Sequence, residues 1–92
     1  MNLFHLEQFY EVAKAGSVSL GAKRLRISQP AVSKSIRLLE EALGAKVFNR
    51  TARGVQLTPA GQIAFDHASR IFSEARALQD KIHGHRSELT GD

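Results

Sequence analysis

Five apolar residues between positions 22 and 36 constrain this 92-residue chain more than any other feature. Ala22 and Leu25 sit three apart, as on one helical face, and Val32 and Ile36 sit four apart on another. Ile27 stands between the two pairs, where only a tight turn fits. Helices joined this way cross at a steep angle and need a small residue where they touch, which Ala22 supplies. The pattern is a helix-turn-helix frame. Ser28 is placed to cap its second helix, and Pro30 falls in the first turn, where its missing N–H costs nothing.

The flanking sequence supplies the rest of a small fold. Leu3, Leu6, Phe9, Tyr10 and Ala13 predict a helix over 3–15, with Glu7, Glu11 and Lys14 on its wet side and Gly16 ending it. Ser17 or Ser19 caps a short helix holding Leu20, Ala22 and Leu25, and Arg26-Ile27 makes the turn. Val32, Ile36, Leu39 and Leu43 mark a third helix that Gly44 stops. The period then changes. Residues 46–50 and 54–58 read as two short strands around a Thr51-Ala52-Arg53-Gly54 hairpin turn.

Thr58-Pro59 opens a long helix, expected to reach about His83. Ala64, Ala68, Ile71, Ala75, Leu78 and Ile82 form a heptad seam along it, with Phe65 and Phe72 on an adjacent flank. A helix of ~25 residues is about 37 Å long, more than so small a domain is wide. Its near part is expected to pack on its own domain through Ile63 and Phe65, and its far part to pair with a second copy. The predicted fold class is mainly α: a winged helix-turn-helix, with a three-helix core and a two-stranded β wing, followed by a long dimerisation helix. Residues 1–58 form the first unit, with the helix-turn-helix at about 18–37 and the wing at about 46–58. Residues 59–85 form the linker helix and 86–92 a polar tail.

Charge assigns a role to this frame. The chain carries 13 Lys+Arg and 9 Asp+Glu, a net of +4. Between Lys14 and Arg53, however, nine basic residues face only Glu40 and Glu41, a local net of +7. A positive field confined to one segment is a nucleic-acid footprint. The outward positions of the frame hold Ser28, Gln29, Ser33, Lys34 and Arg37, groups suited to base edges and phosphates. Arg37, two turns into the helix, suits a phosphate better than a base. Arg24 and Lys46 stand equally well as phosphate contacts or as solubilising charges.

The stretch AKRLRISQPAVSKSIRLLEEALGAKVFNRTARGVQLTPAG resembles the winged helix-turn-helix of LysR-type transcriptional regulators. The likeness runs from Leu3 to about Ala75. Ser28-Gln29-Pro30-Ala31-Val32-Ser33, Leu39-Glu40-Glu41, Leu43-Gly44, Phe48-x-Arg50, Leu57-Thr58 and Ala60-Gly61 carry it. The resemblance implies base reading in the major groove by Gln29, Pro30, Ser33 and Lys34, and wing contacts from Arg50, Thr51 and Arg53 in the minor groove. It also implies a bacterial homodimer (a tetramer at full length) on operator DNA, and an effector domain beyond this chain, so that no small-molecule site falls in this segment. Three positions depart from the family pattern. Gly21 stands where alanine is usual, at roughly 1 kcal/mol of helix propensity, Ser35 replaces a frequent glutamine, and Arg26 occupies a turn position that favours glycine.

Other classes fit less well. No cysteine is present, so disulfides and thiolate metal sites are excluded. His5, His67, His83 and His85 lack metal-ligand spacing, and no cofactor is expected. There is no nucleophile–base pair, phosphate loop or paired carboxylates, so an enzyme is not expected. No apolar run reaches the ~20 residues of a membrane span, and a cytoplasmic, nucleoid-associated location is expected. A helical protein-interaction module with no specific DNA target would account for the seam, but not for the +7 segment or the wing.

Overall fold

The helices begin and end on residues whose chemistry accounts for the boundary. The computed structural model describes residues 1–89, with side chains as far as His85. Helix α1 (Leu3–Ala15) starts where the Asn2 side chain accepts a hydrogen bond from the Phe4 amide at 2.7 Å, and ends at Gly16 in the left-handed region, φ 85°. For α2 (Val18–Leu25), Ser17 is the cap that forms, accepting from the Leu20 amide at 3.1 Å. Its other end is Arg26, left-handed at φ 58° and the one non-glycine with positive φ among the described residues. Ser28 caps α3 (Gln29–Leu43) by accepting from the Ala31 amide at 3.3 Å, and Gly44 closes it at φ 71°.

The wing is an antiparallel pair, β1 (Phe48–Thr51) and β2 (Gly54–Leu57), with Phe48 opposite Leu57 and Thr51 opposite Gly54. The pair is shorter than the sequence pattern suggests at its open end, where the Val47 amide turns to α3 and the Thr58 hydroxyl to the start of the next helix, although Val47 and Thr58 still share one backbone bond. The Val47 amide donates to Glu40 Oε2 at 2.9 Å, and the Val47 carbonyl accepts from the Thr58 amide at 3.1 Å. The Thr58 hydroxyl donates to the Lys46 carbonyl and accepts from the Gly61 amide, which starts α4 (Pro59–Leu89). This helix continues past His83 through Gly84, so residues 86–89 of the expected polar tail are helical. Residues 90–92 lie outside the described residues. At 1.5 Å per residue α4 is about 46 Å long, and it gives the molecule its 55 Å long axis.

The core gathers Leu6, Phe9 and Val12 of α1, Ala22 of α2, Val32, Ile36 and Leu39 of α3, and Val47 and Phe48 ahead of the wing turn. The Phe9 and Phe48 rings meet at 5.1 Å. Two expectations about burial are corrected. Leu3 is exposed and Val12 takes its place in the buried face of α1, because α2 approaches closely there. A Cβ on Gly21 would lie 2.6 Å from Val12 Cγ2 and 2.8 Å from Val12 Cα. Glycine is therefore required by the helix crossing, whatever its helix propensity.

The second correction concerns α4. Ile63 is 62% exposed and does not pack on its own domain. Phe65, Ala68 and Phe72 do so instead, at spacings of three and four, because Tyr10 of α1 presents its ring to both phenylalanines, at 5.0 and 5.7 Å. Ala68 is fully buried in this contact and so cannot also face a second chain. Ala64 packs against the core as well, while Ile71, Ala75, Leu78 and Ile82 remain exposed. Among the described residues no helix is long and apolar enough to cross a membrane.

Candidate nucleic-acid interface

Burying Val32, Ile36 and Leu39 fixes the rotation of α3 and turns Gln29, Pro30, Lys34 and Arg37 to solvent, with Ser33 half-buried beside them. Ser28 sits at the helix start, its hydroxyl already engaged in the cap. Pro30 lies in the first turn, where no intrahelical partner for an N–H is lost. The end of α3 that carries Gln29 and Ser33 is thus polar, with Gln29 exposed.

The wing is braced on three sides. At its tip the Thr51 hydroxyl donates to the Gly54 carbonyl and accepts from the Arg53 amide, both at 3.3 Å, which commits that hydroxyl to the turn. Gly54, at φ 136°, lies so close to the Gly16 carbonyl that a Cβ would overlap it, and the Val55 amide donates to the same carbonyl at 3.0 Å. At the other end, the Glu40–Val47 bond ties α3 to the start of β1. These bonds hold Arg50 and Arg53 at a set position relative to α3, and both side chains are exposed.

The basic residues are uncompensated. Among the described residues the ion pair is Lys14–Glu11, at 2.9 Å, and Lys14 also lies 4.5 Å over the Tyr10 ring. Lys23, Arg24, Arg26, Lys34, Arg37, Lys46, Arg50 and Arg53 are all exposed and have no ion-pair partner. Unpaired cations on a surface are free to neutralise the phosphates of a polyanion and so release the cations condensed on it.

One feature of this surface escaped the sequence reading. A cleft of about 520 Å³ lies between α3 and β1, and it brings Lys46 and Asn49 beside Ser33, Arg37 and Arg50. Only the tertiary fold sets the segment from Lys46 to Arg50 beside α3. On α4, Ile71, Ala75, Leu78 and Ile82 form an exposed stripe, and Ile63 and Ile71 border an apolar hollow shared with Met1, Leu43 and Ala45. Among the described residues no group of three or more His, Cys, Asp or Glu side chains could hold a metal ion.

A three-helix core, a strapped β wing and an exposed polar third helix define a winged helix-turn-helix protein. The family model of bacterial regulatory helix-turn-helix proteins, lysR family, matches residues 3–62, and the chain belongs to that family. It is 40% identical over 93 residues to the HTH-type transcriptional regulator TfdT of Cupriavidus pinatubonensis, covering 97% of this chain and 41% of that relative. Its fold is similar to that of a CbnR_DBD–DNA complex, with a TM-score of 0.82 and 35% identity, covering 94% of this chain and 99% of the other. A BenM_DBD/catB site 1 DNA complex is similar at a TM-score of 0.86 and 32% identity, covering 96% and 95%.

Proposed function

We propose that this domain binds double-stranded operator DNA in a sequence-dependent manner, as a homodimer within a bacterial transcriptional regulator acting in the cytoplasm. The observation that carries this reading is the set of eight exposed cations on α2, the turn after it, α3 and the wing segment, unpaired among the described residues. The DNA complexes among the similar structures support it. Gln29, Pro30, Ser33 and Lys34 read base edges in the major groove, aided by Ser28 at the helix start. Arg37 neutralises a backbone phosphate. Arg50, Thr51 and Arg53 make the wing contacts, with Arg53 in the minor groove, where a narrow A·T-rich segment offers enhanced negative potential to an arginine.

The exposed stripe of α4, Ile71, Ala75, Leu78 and Ile82, pairs with the same stripe of a second copy, with Ala64 at the edge of the contact. A two-fold pairing presents two recognition helices to two half-sites. Residues 1–58 thus read DNA and the helix from 59 onward pairs copies. A helical interaction module would use the stripe alone and leave the cations without a role.

The test is equilibrium binding to a random-sequence duplex over a salt series. Log affinity is expected to fall linearly with log salt, and Arg53→Ala to lower the slope by ~0.9, about one counterion. Salt-insensitive binding, or none, contradicts the proposal.

A further inference from the structure

We propose that the cleft between α3 and β1 seats a single phosphate of the DNA backbone, shared by Arg37, Lys46 and Arg50. The inference rests on the DNA-binding reading and adds to it a defined subsite in which Lys46, otherwise an undecided surface charge, takes part. Four α3 residues line the cleft, Ser33, Ile36, Arg37 and Glu40, at the i, i+3, i+4, i+7 positions of one helical face. Opposite them stand Lys46, two residues ahead of β1, and Phe48, Asn49 and Arg50 of β1, and Val55 pairs with Arg50 across the hairpin.

The chemistry is divided by depth. Ile36 and Phe48 are buried and Val55 half-buried, which makes an apolar floor. Arg37, Lys46, Asn49 and Arg50 are exposed, and three of them bring positive charge to the lining of one cleft. The one carboxylate in the cleft, Glu40, has its Oε2 oxygen bound to the Val47 amide, and none of the three cations pairs with it. Three cations against one committed carboxylate leave the opening net positive. An apolar floor lowers the local dielectric and strengthens their pull on an anion. Because the cleft joins the third helix to the wing, a phosphate seated there marks the strand that passes from one groove to the next.

Cations sharing one phosphate and cations on separate phosphates differ in counterion release. The experiment measures salt slopes on a random-sequence duplex for the wild type, for Arg37→Gln, Lys46→Gln and Arg50→Gln singly, and for the triple variant. Folding is checked by thermal melting. A shared phosphate predicts that each single substitution lowers the slope by less than ~0.5, and the triple variant by only ~0.9. A triple loss near ~2.7, one phosphate per side chain, overturns the shared seat, and an unchanged slope overturns any contact in the cleft. Calorimetry with inorganic phosphate alone is expected to show no saturable binding at millimolar concentration. Saturable binding that Lys46→Gln abolishes would assign the cleft to a free anion and overturn the backbone assignment. If the wild type itself shows no salt-dependent binding, it is the DNA-binding reading that fails.

Discussion

Glu40 and Val47 are joined by a hydrogen bond of 2.9 Å from a fully buried residue's amide to a carboxylate oxygen seven positions earlier. The bond fastens the C-terminal half of α3 to the entry of the wing. It is one of the contacts that set the two elements carrying the proposed DNA contacts relative to each other. Glu40→Ala is expected to leave that amide unsatisfied and to destabilise the domain by about 1–2 kcal/mol. Glu40→Gln keeps an acceptor oxygen and should recover most of the loss. Denaturant unfolding of both variants checks this, and equal midpoints for alanine and glutamine would contradict it.

Gly21→Ala tests the helix crossing. Alanine would gain up to ~1 kcal/mol in helix propensity, yet its Cβ would meet Val12 backbone and side chain well inside van der Waals distance. Overpacking of this kind costs about 1–3 kcal/mol. The variant is expected to melt several degrees lower. A rise in melting temperature would show that α2 can withdraw from α1 without loss.

Arg26→Gly separates strain from charge at the turn. A left-handed arginine backbone costs roughly 1–2 kcal/mol relative to a relaxed conformation, which glycine avoids. Glycine loses part of that gain through its freer unfolded chain. A net stabilisation of about 0.5–1 kcal/mol is expected. Affinity for random-sequence DNA should fall in the same variant, since an exposed, unpaired cation is lost. Lower stability in urea unfolding would refute the strain assignment.

Leu78→Glu addresses pairing. Leu78 is 62% exposed on α4, beyond the part that packs on α1, so its substitution should spare the fold of the DNA-binding unit. Sedimentation equilibrium is expected to show a dimer for the wild type and a monomer for the variant. A monomeric wild type at high concentration would overturn the paired-helix reading.

Much of the fold was legible because local chemistry marks its boundaries. Ser28, Thr58-Pro59, Gly16 and Gly44 announce helix ends by rules that need only a few neighbouring residues. The rotation of α4 was legible in part. Phe65 packs on its own domain as expected, but Ile63 does not and Ala68 leaves the seam for the core, because the contact is set by Tyr10, far away in the sequence. Val12 and Gly21 likewise find one another only at the crossing of α1 and α2. At the candidate site, the apolar frame fixed which side of α3 faces out. Lys46 and Asn49 gained their place only when β1 was laid against that helix, and Glu40 only through a bond to backbone, which side-chain patterns do not reveal.

The most direct measurement is selection of bound sites from a random duplex pool, using the wild type and Gln29→Ala. Two related half-sites are expected from the wild type, their spacing set by the paired α4 helices. Gln29→Ala should relax preference at one position in each half-site, by ~1–3 kcal/mol, while the remaining positions persist. Failure to enrich any sequence, or a uniform loss of affinity with unchanged base preference in the variant, would contradict the assignment of α3 as the element that reads DNA.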